Sequence, residues 1–181
     1  MKPLISAVLS ALLVLCGVAT ASPAGASKPH QHGVAQLDVA VDAMRVTLEL
    51  DTPLDNLLGY ERAPRNDAER AAADKMLARL RAADQLFRID SAAGCTLAKV
   101  TLEAPVLGLG ANAATPAKGE HADLNGRFEF TCKAGNLARF VEVDLFEAFL
   151  PMKRINLQLV LPRGQMKATL VRPATRVALV R

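Results

Sequence analysis

The three histidines of this chain lie in two short clusters whose spacing suits the binding of a metal ion. His30 and His32 flank Gln31, and His121 is two residues before Asp123. In an extended backbone, side chains two residues apart project from the same face. The two side chains of each pair can therefore project from the same face of the backbone. If the fold joins the two clusters, three imidazoles and a carboxylate converge, which is a donor set suited to zinc.

Two glutamates are further candidates for such a site. A zinc ion takes about four nitrogen, oxygen or sulfur donors. Glu61 and Glu120 could each replace Asp123 as the fourth donor. Either could instead accept a hydrogen bond from the histidine ring nitrogen that does not bind the metal. Copper is a second candidate metal, because most sites of this kind bind Cu²⁺ more tightly than zinc. The alternative interpretation is that His30 and His32 are solvated residues of an N-terminal leader.

Residues typical of catalysis or nucleic-acid binding are missing from the sequence. It contains no His-Glu-x-x-His, no Gly-x-Ser-x-Gly and no phosphate-binding glycine loop, so we expect no enzymatic activity. The net charge is +4, but the arginines are scattered. With no tryptophan and one tyrosine, the chain also lacks aromatic platforms on which bases could stack. We therefore expect no nucleic-acid partner.

The N-terminus has the features of a cleaved secretory signal. Lys2 gives a positive start, an apolar stretch runs from Leu4 to Val18, and Ala19-Thr20-Ala21 offers a cleavage site of small residues. The stretch is short for a retained membrane anchor. We predict export, removal of the signal and no membrane-spanning segment afterwards. The predicted parts are a signal at residues 1–21, a flexible His-x-His leader at 22–33 and a single domain at 34–181.

Two cysteines remain after the predicted cleavage, Cys95 and Cys132. An even number in an oxidising compartment, with each cysteine in a strand-like segment, is typical of a disulfide. A thiolate metal or redox site is the alternative, but the sequence has no Cys-x-x-Cys spacing. We therefore predict that Cys95 and Cys132 form a disulfide between neighbouring strands.

Alternating apolar and polar residues predict strands over most of the domain. Val34 to Val41 and Arg45 to Asp51 alternate on either side of a short connection, which indicates a hairpin with one buried face. After Gly94 we expect strand throughout. The segments with this pattern are residues 95–103, 128–132, 140–146, 155–161 and 165–171.

A single amphipathic helix is predicted between the hairpin and the later strands. Asn66 followed by Glu69 has the form of a capping box, in which the glutamate reaches back to the cap. An apolar stripe at helical spacing then predicts a buried face, formed by Ala72, Met76, Leu80, Ala83 and Phe87.

These elements predict an α+β fold that is mainly antiparallel β. About seven strands form a sandwich-like arrangement, with the helix packed on a sheet and one disulfide. The loop at about residues 105–119 is rich in Gly, Ala and Pro and has few apolar residues that could pack. We therefore predict that it is mobile.

Several segments, in order along the mature chain, resemble the ZrgA-like family of bacterial periplasmic proteins, long classed as a domain of unknown function. The resemblance implies a periplasmic location, zinc binding and a part in zinc acquisition, with a zinc-uptake component of the envelope as a partner. The matching segments are His30–Val39, Asp55–Glu61 followed by Ala63-Pro64, Gly94-Cys95, His121–Asp123, Phe130–Cys132 and Leu145-Phe146, together with Gln165.

The chain departs from the family pattern in two places. Members commonly have a loop rich in histidine and acids before the His-Ala-Asp segment, whereas residues 111–118 contain neither here. Many members also have histidine where this chain has Arg62. A cation cannot ligate zinc and repels it at close range. High-capacity binding by a histidine-rich loop is therefore not expected, and the two ordered clusters remain.

We predict a non-catalytic periplasmic protein that binds a metal ion, zinc in the first place, as a buffer, carrier or accessory to uptake. The alternative is an envelope adaptor without a metal site. A metal protein should bring His30, His32 and His121 within a few ångströms of one another. An adaptor would leave them apart and expose a large apolar patch.

Overall fold

A computed structural model of the protein describes residues 31–110 and 122–179, in which nine strands form two sheets. The strands are β1 (Val34–Val41), β2 (Arg45–Pro53), β3 (Phe87–Ile89), β4 (Cys95–Glu103), β5 (Asp123–Cys132), β6 (Phe140–Val143), β7 (Arg154–Leu161), β8 (Gly164–Val171) and β9 (Arg176–Ala178). The helices are α1 (Asp55–Leu58), α2 (Asp67–Arg81) and α3 (Leu145–Ala148).

The larger sheet has six strands in the order β4-β5-β2-β1-β7-β8. The predicted β1–β2 hairpin is confirmed, and the Asp42 amide donates to the Arg45 carbonyl across its turn at 2.9 Å. All neighbours are antiparallel except β1 and β7, which run parallel with Leu37 opposite Leu157. The smaller sheet has the order β3-β6-β9 and is antiparallel.

The core lies between the two sheets and α2. Alternate residues of each long strand point inward, so Leu37, Leu48 and Leu157 are at most 1% exposed. The rings of Phe87 in β3 and Phe128 in β5 lie 4.9 Å apart and join the two sheets. The predicted α+β, sandwich-like class is therefore confirmed.

Helix α2 begins as predicted, with the Asn66 side chain accepting a hydrogen bond from the Glu69 amide at 2.8 Å. The Glu69 carboxylate does not complete a capping box, because it accepts from the Arg65 amide instead. The predicted buried face is correct at Met76 and Leu80. It is wrong at Ala72, which is exposed while Ala73 is buried. The helix ends at Arg81, so the last two members of the predicted stripe lie beyond it, Ala83 in a 3₁₀ helix and Phe87 in β3.

The predicted disulfide is present. Cys95 and Cys132 pair in register across β4 and β5, with their Cα atoms 3.9 Å apart. Of the loop at about residues 105–119, Pro105–Leu107 forms a 3₁₀ helix and Ala104 bridges Leu109. The remainder from residue 111 lies outside the described residues, as does the predicted signal. Among the helices that the structure describes, none is long and apolar enough to cross a membrane.

Candidate metal centre

His32 lies in a tight turn at the start of β1. The Val34 amide donates to the Gln31 carbonyl at 3.0 Å and closes this turn. Gly33 has φ +80, a conformation in which a side chain is strained. Its carbonyl accepts from the amides of Lys153 and Arg154 at 2.8 and 2.9 Å. The turn that presents His32 is therefore fixed to the start of β7.

Asn56 in α1 holds the same turn from the other side. It is fully buried, and its side-chain oxygen accepts from the Gly33 amide at 2.6 Å. Its side-chain nitrogen donates to the Val34 carbonyl at 2.9 Å and to the Thr52 hydroxyl at 3.0 Å. The asparagine amide thus takes the place of a strand partner for the first residues of β1.

Two carboxylates contact the His32 ring, one at each nitrogen. Nδ1 lies 2.6 Å from Oδ2 of Asp55, and Nε2 lies 3.7 Å from Oε1 of Glu61. The His32 side chain is 62% exposed, whereas those of Asp55 and Glu61 are 26% and 15% exposed. The ring therefore projects from the surface over two partly buried acids.

Asp123 lies at the same end of the six-stranded sheet. It pairs with Pro53 across β2 and β5, and the Leu54 amide donates to the Ala122 carbonyl at 2.8 Å. Oδ1 of Asp123 and Oε1 of Glu61 are both buried oxygens. We call this end of the sheet, marked by Gly33, Pro53, Asp123 and α1, the α1 end.

The three-histidine site stays a prediction. His30, Glu120 and His121 lie outside the described residues. Within residues 31–110 and 122–179, no three histidine, cysteine or acidic side chains are grouped so that they could hold a metal ion. Of the predicted site residues, the structure brings His32 and Glu61 together and places Asp123 at the same end of the sheet.

The model of one protein family, described as ZrgA family zinc uptake protein, matches residues 29–179. The chain belongs to this family. Among the curated proteins no match is found. The matched region contains both histidine clusters and every strand named above, so the predicted membership is confirmed. Membership in the ZrgA family supports a role in zinc uptake and fits a metal ion as partner.

Asp55 is the partner of His32 that sequence reasoning missed. It precedes Asn56 in a segment that resembles the family, yet nothing in the sequence indicated a role for it. Its partner His32 is 23 residues away, and the contact depends on how α1 returns to the start of β1. A pattern of neighbouring residues cannot show such a contact.

Arg62, one residue after Glu61, is held by α2. Its guanidinium donates to both Glu69 oxygens, at 2.6 and 2.9 Å, and lies 4.6 Å from the centre of the Tyr60 ring. This bidentate bond raises the pKa of Arg62. The bond from Arg62, followed by that from the Arg65 amide, lowers the pKa of Glu69 to about 2. The positive charge of Arg62 is therefore compensated by a carboxylate.

Further pKa shifts belong to ion pairs on the smaller sheet and its flanks. Glu142 in β6 binds Arg176 of β9 and Arg88 of β3, and these two bonds lower its pKa. The Arg139 guanidinium likewise lowers the pKa of Asp90. Because guanidinium groups occupy these carboxylates, the pairs stabilise the structure rather than offer donors to a metal ion.

Proposed function

We propose that this protein binds zinc in the periplasm and serves zinc uptake as a buffer, carrier or accessory. The observation that supports this best is the distance of 3.7 Å between His32 Nε2 and Glu61 Oε1. Tetrahedral zinc with bonds of about 2.0–2.1 Å separates two of its donor atoms by about 3.3 Å. The distance between His32 Nε2 and Glu61 Oε1 is therefore close to the spacing of two atoms that bind the same zinc ion.

The other proposed donors adjoin the α1 end in sequence. His30 directly precedes Gln31, whose carbonyl is held by the Val34 amide. His121 directly precedes Ala122, whose carbonyl is held by the Leu54 amide. The proposed site therefore takes His30, His32 and His121 as imidazole donors. Asp123, Glu61 or Glu120 completes it or supports an imidazole.

Export to the periplasm is supported by the predicted signal at residues 1–21 and by the disulfide. A bridge such as Cys95–Cys132 persists where the surroundings are oxidising. A family concerned with zinc uptake also fits a compartment through which the metal must pass. Zinc is here the cargo of the protein.

We propose one site of modest affinity, since residues 111–118 contain no histidine. Cu²⁺ is expected to compete in vitro, because the Irving–Williams order favours it over zinc for nitrogen and oxygen donors. The adaptor alternative gains no support from the exposed apolar side chains. The large ones among the described residues lie on separate segments, with Val160 and Val171 near opposite ends of the β7–β8 hairpin.

The test is zinc titration calorimetry on the mature chain, stripped of metal with a chelator, near pH 7 and again near pH 5. We expect saturable binding at one site that weakens at pH 5, because protonated imidazoles cannot bind a metal ion. The double variant His30→Ala, His32→Ala should lose most of the affinity. Gln31→Ala, between the two histidines, is the matched control and should bind as the original chain does.

Two results would contradict the proposal. One is an absence of heat together with a failure to compete with a chromogenic chelator. The other is unchanged binding in the double variant, which would exclude the site at the α1 end even if zinc binds elsewhere.

A further inference from the structure

We infer that Asp55 is a positioning residue that makes Nε2 of His32 the metal-binding nitrogen. This inference rests on the proposed function and adds to it a residue that belongs to none of the predicted ligand sets. It begins with the distance of 2.6 Å between Asp55 Oδ2 and His32 Nδ1, which is that of a strong, charge-assisted hydrogen bond.

The direction of this bond follows from the chemistry of its two partners. An ionised carboxylate can only accept a hydrogen bond, so the hydrogen lies on Nδ1 of His32. A neutral imidazole has one hydrogen, and the lone pair is then on Nε2. Asp55 therefore selects the tautomer in which Nε2 can bind a metal ion.

The two acids around His32 consequently have different roles. Asp55 lies at hydrogen-bond distance from Nδ1, whereas Glu61 lies 3.7 Å from Nε2, beyond that distance. An ion placed between Nε2 and Glu61 would meet a nitrogen lone pair and a carboxylate oxygen. Asp55, on the far side of the ring, would hold the orientation of the imidazole without touching the ion.

The contact is fixed by the backbone on both sides of it. Asn56, the next residue of α1, binds the Gly33 amide and the Val34 carbonyl, so the main chain after His32 is attached to α1. The ring itself is 62% exposed, and packing alone does not fix its rotamer. Without the bond to Asp55, the ring would lose orientation, and binding zinc would have to restore it at a cost in entropy.

The test uses the full mature chain with three variants, Asp55→Ala, Asp55→Glu and Asp51→Ala. The Asp51 variant is the matched control, because it removes an exposed acid of β2 near the same end of the sheet. The first measurement is ¹⁵N NMR of the His32 ring in metal-free protein near pH 8. We expect the hydrogen on Nδ1 in the original chain, a mixture of tautomers in Asp55→Ala and no change in Asp51→Ala.

The second measurement is the zinc Kd by chelator competition. Removal of a carboxylate that supports a metal-binding histidine typically weakens affinity 10–100-fold. We expect this loss for Asp55→Ala, a partial recovery for Asp55→Glu and the original Kd for Asp51→Ala. The conservative variant separates loss of the carboxylate from any general damage to α1.

The inference is overturned if the metal-free chain has its His32 hydrogen on Nε2, or if Asp55→Ala retains both the original tautomer and the original Kd. Failure of the proposed function gives a different result. In that case the original chain does not bind zinc at all, and the tautomer, measured without metal, still decides the role of Asp55.

Discussion

Asn56 and Gly33 are joined by a buried hydrogen bond of 2.6 Å, from the backbone amide of the glycine to the side chain of the asparagine. The same side chain donates hydrogen bonds to the Val34 carbonyl and the Thr52 hydroxyl, so one amide group satisfies three polar partners that are buried or partly buried. Through this group, a helix of four residues fixes the start of a central strand and the histidine that precedes it.

We therefore expect Asn56→Ala to be strongly destabilising. Each buried group left without a partner costs about 1–3 kcal/mol. Because the turn can relax in part, we expect the free energy of unfolding to fall by about 2–4 kcal/mol in total. Urea unfolding measures this loss. Asn125→Ala, at an exposed position of β5, is the control and should stay within about 0.5 kcal/mol of the original chain. Equal stability of the two variants would show that Asn56 does not anchor the turn.

The bond between Arg62 and Glu69 should make stability fall in acid. The pKa of Glu69 is about 2 in the folded chain against an ordinary value of 4.5. A lowered folded-state pKa contributes stability that is complete above pH 4.5 and is lost as the pH falls towards 2. Arg62→Gln should thus be less stable than the original chain at pH 7, and the difference should narrow between pH 4.5 and pH 2.

Lys75→Gln is the control for this experiment, because it removes an exposed cation of α2 that forms no ion pair among the described residues. Its stability should follow that of the original chain at every pH. Urea unfolding across the pH range measures all three proteins. A difference between Arg62→Gln and the original chain that stays constant with pH would contradict the role given to Glu69.

Replacing both Cys95 and Cys132 by alanine should destabilise the fold but spare the proposed site. The two cysteines are 37 residues apart in sequence, and closing such a loop contributes about 3–4 kcal/mol in the chain-entropy description. Cys132 ends β5, whereas Asp123 begins it, so the bridge and the α1 end are far apart along that strand. Unfolding with and without reductant measures the first effect. A large change in zinc Kd under native conditions would contradict the second.

Arg172 should be a structural residue of the region after α3. Nη2 of its guanidinium lies 2.5, 3.2 and 3.2 Å from the carbonyl oxygens of Phe146, Leu150 and Met152, among which its two hydrogens are shared. Hydrogen bonds from a charged donor contribute about 1.5–3 kcal/mol, so we expect a loss of that size in Arg172→Ala. Arg172→Lys should recover only part of this stability, because the ammonium group of lysine cannot reproduce the planar arrangement of donors in a guanidinium. Thermal unfolding of these variants measures the loss. Arg163→Ala, in the exposed β7–β8 turn, is the control and should unfold as the original chain does.

Local patterns in the sequence were sufficient to predict the elements whose neighbours in the fold are also neighbours in the chain. The β1–β2 hairpin follows from alternation across a short turn, and the start of α2 follows from the chemistry of Asn66. The disulfide follows from counting cysteines in a chain that is predicted to be exported. In each case the physical cause acts within a few residues or through a single covalent pair.

Contacts between distant segments could not be predicted in this way. Alternation shows that β1 and β7 each bury one face, but it does not show that they pair or that they run parallel. The strands β3 and β9 have three residues each, too few for a period of two to be recognised. Ala72 and Ala73 are chemically equal, so only packing decides which is buried.

The same distinction between local patterns and distant contacts applies to the candidate site. The residue types and the i, i+2 spacing of the histidines indicated metal chemistry, and the structure places the candidate acid Glu61 beside His32. Asp55 was not found, because its contact with His32 joins two residues that are 23 positions apart in the sequence. That contact depends on the position of α1 and on the bonds of Asn56 to the turn, neither of which leaves a periodic signal in the sequence.

The parallel pairing of β1 with β7 has a consequence for how the chain folds. The first strand of the domain lies in the middle of the large sheet, between β2 and a strand that ends at Leu161. A nascent chain therefore lacks the neighbour that completes its central strand until nearly the whole sequence is available. Pairings between such distant segments form late and slowly. The turn that carries His32, attached to both β1 and the start of β7, should thus be among the last parts of the molecule to become ordered.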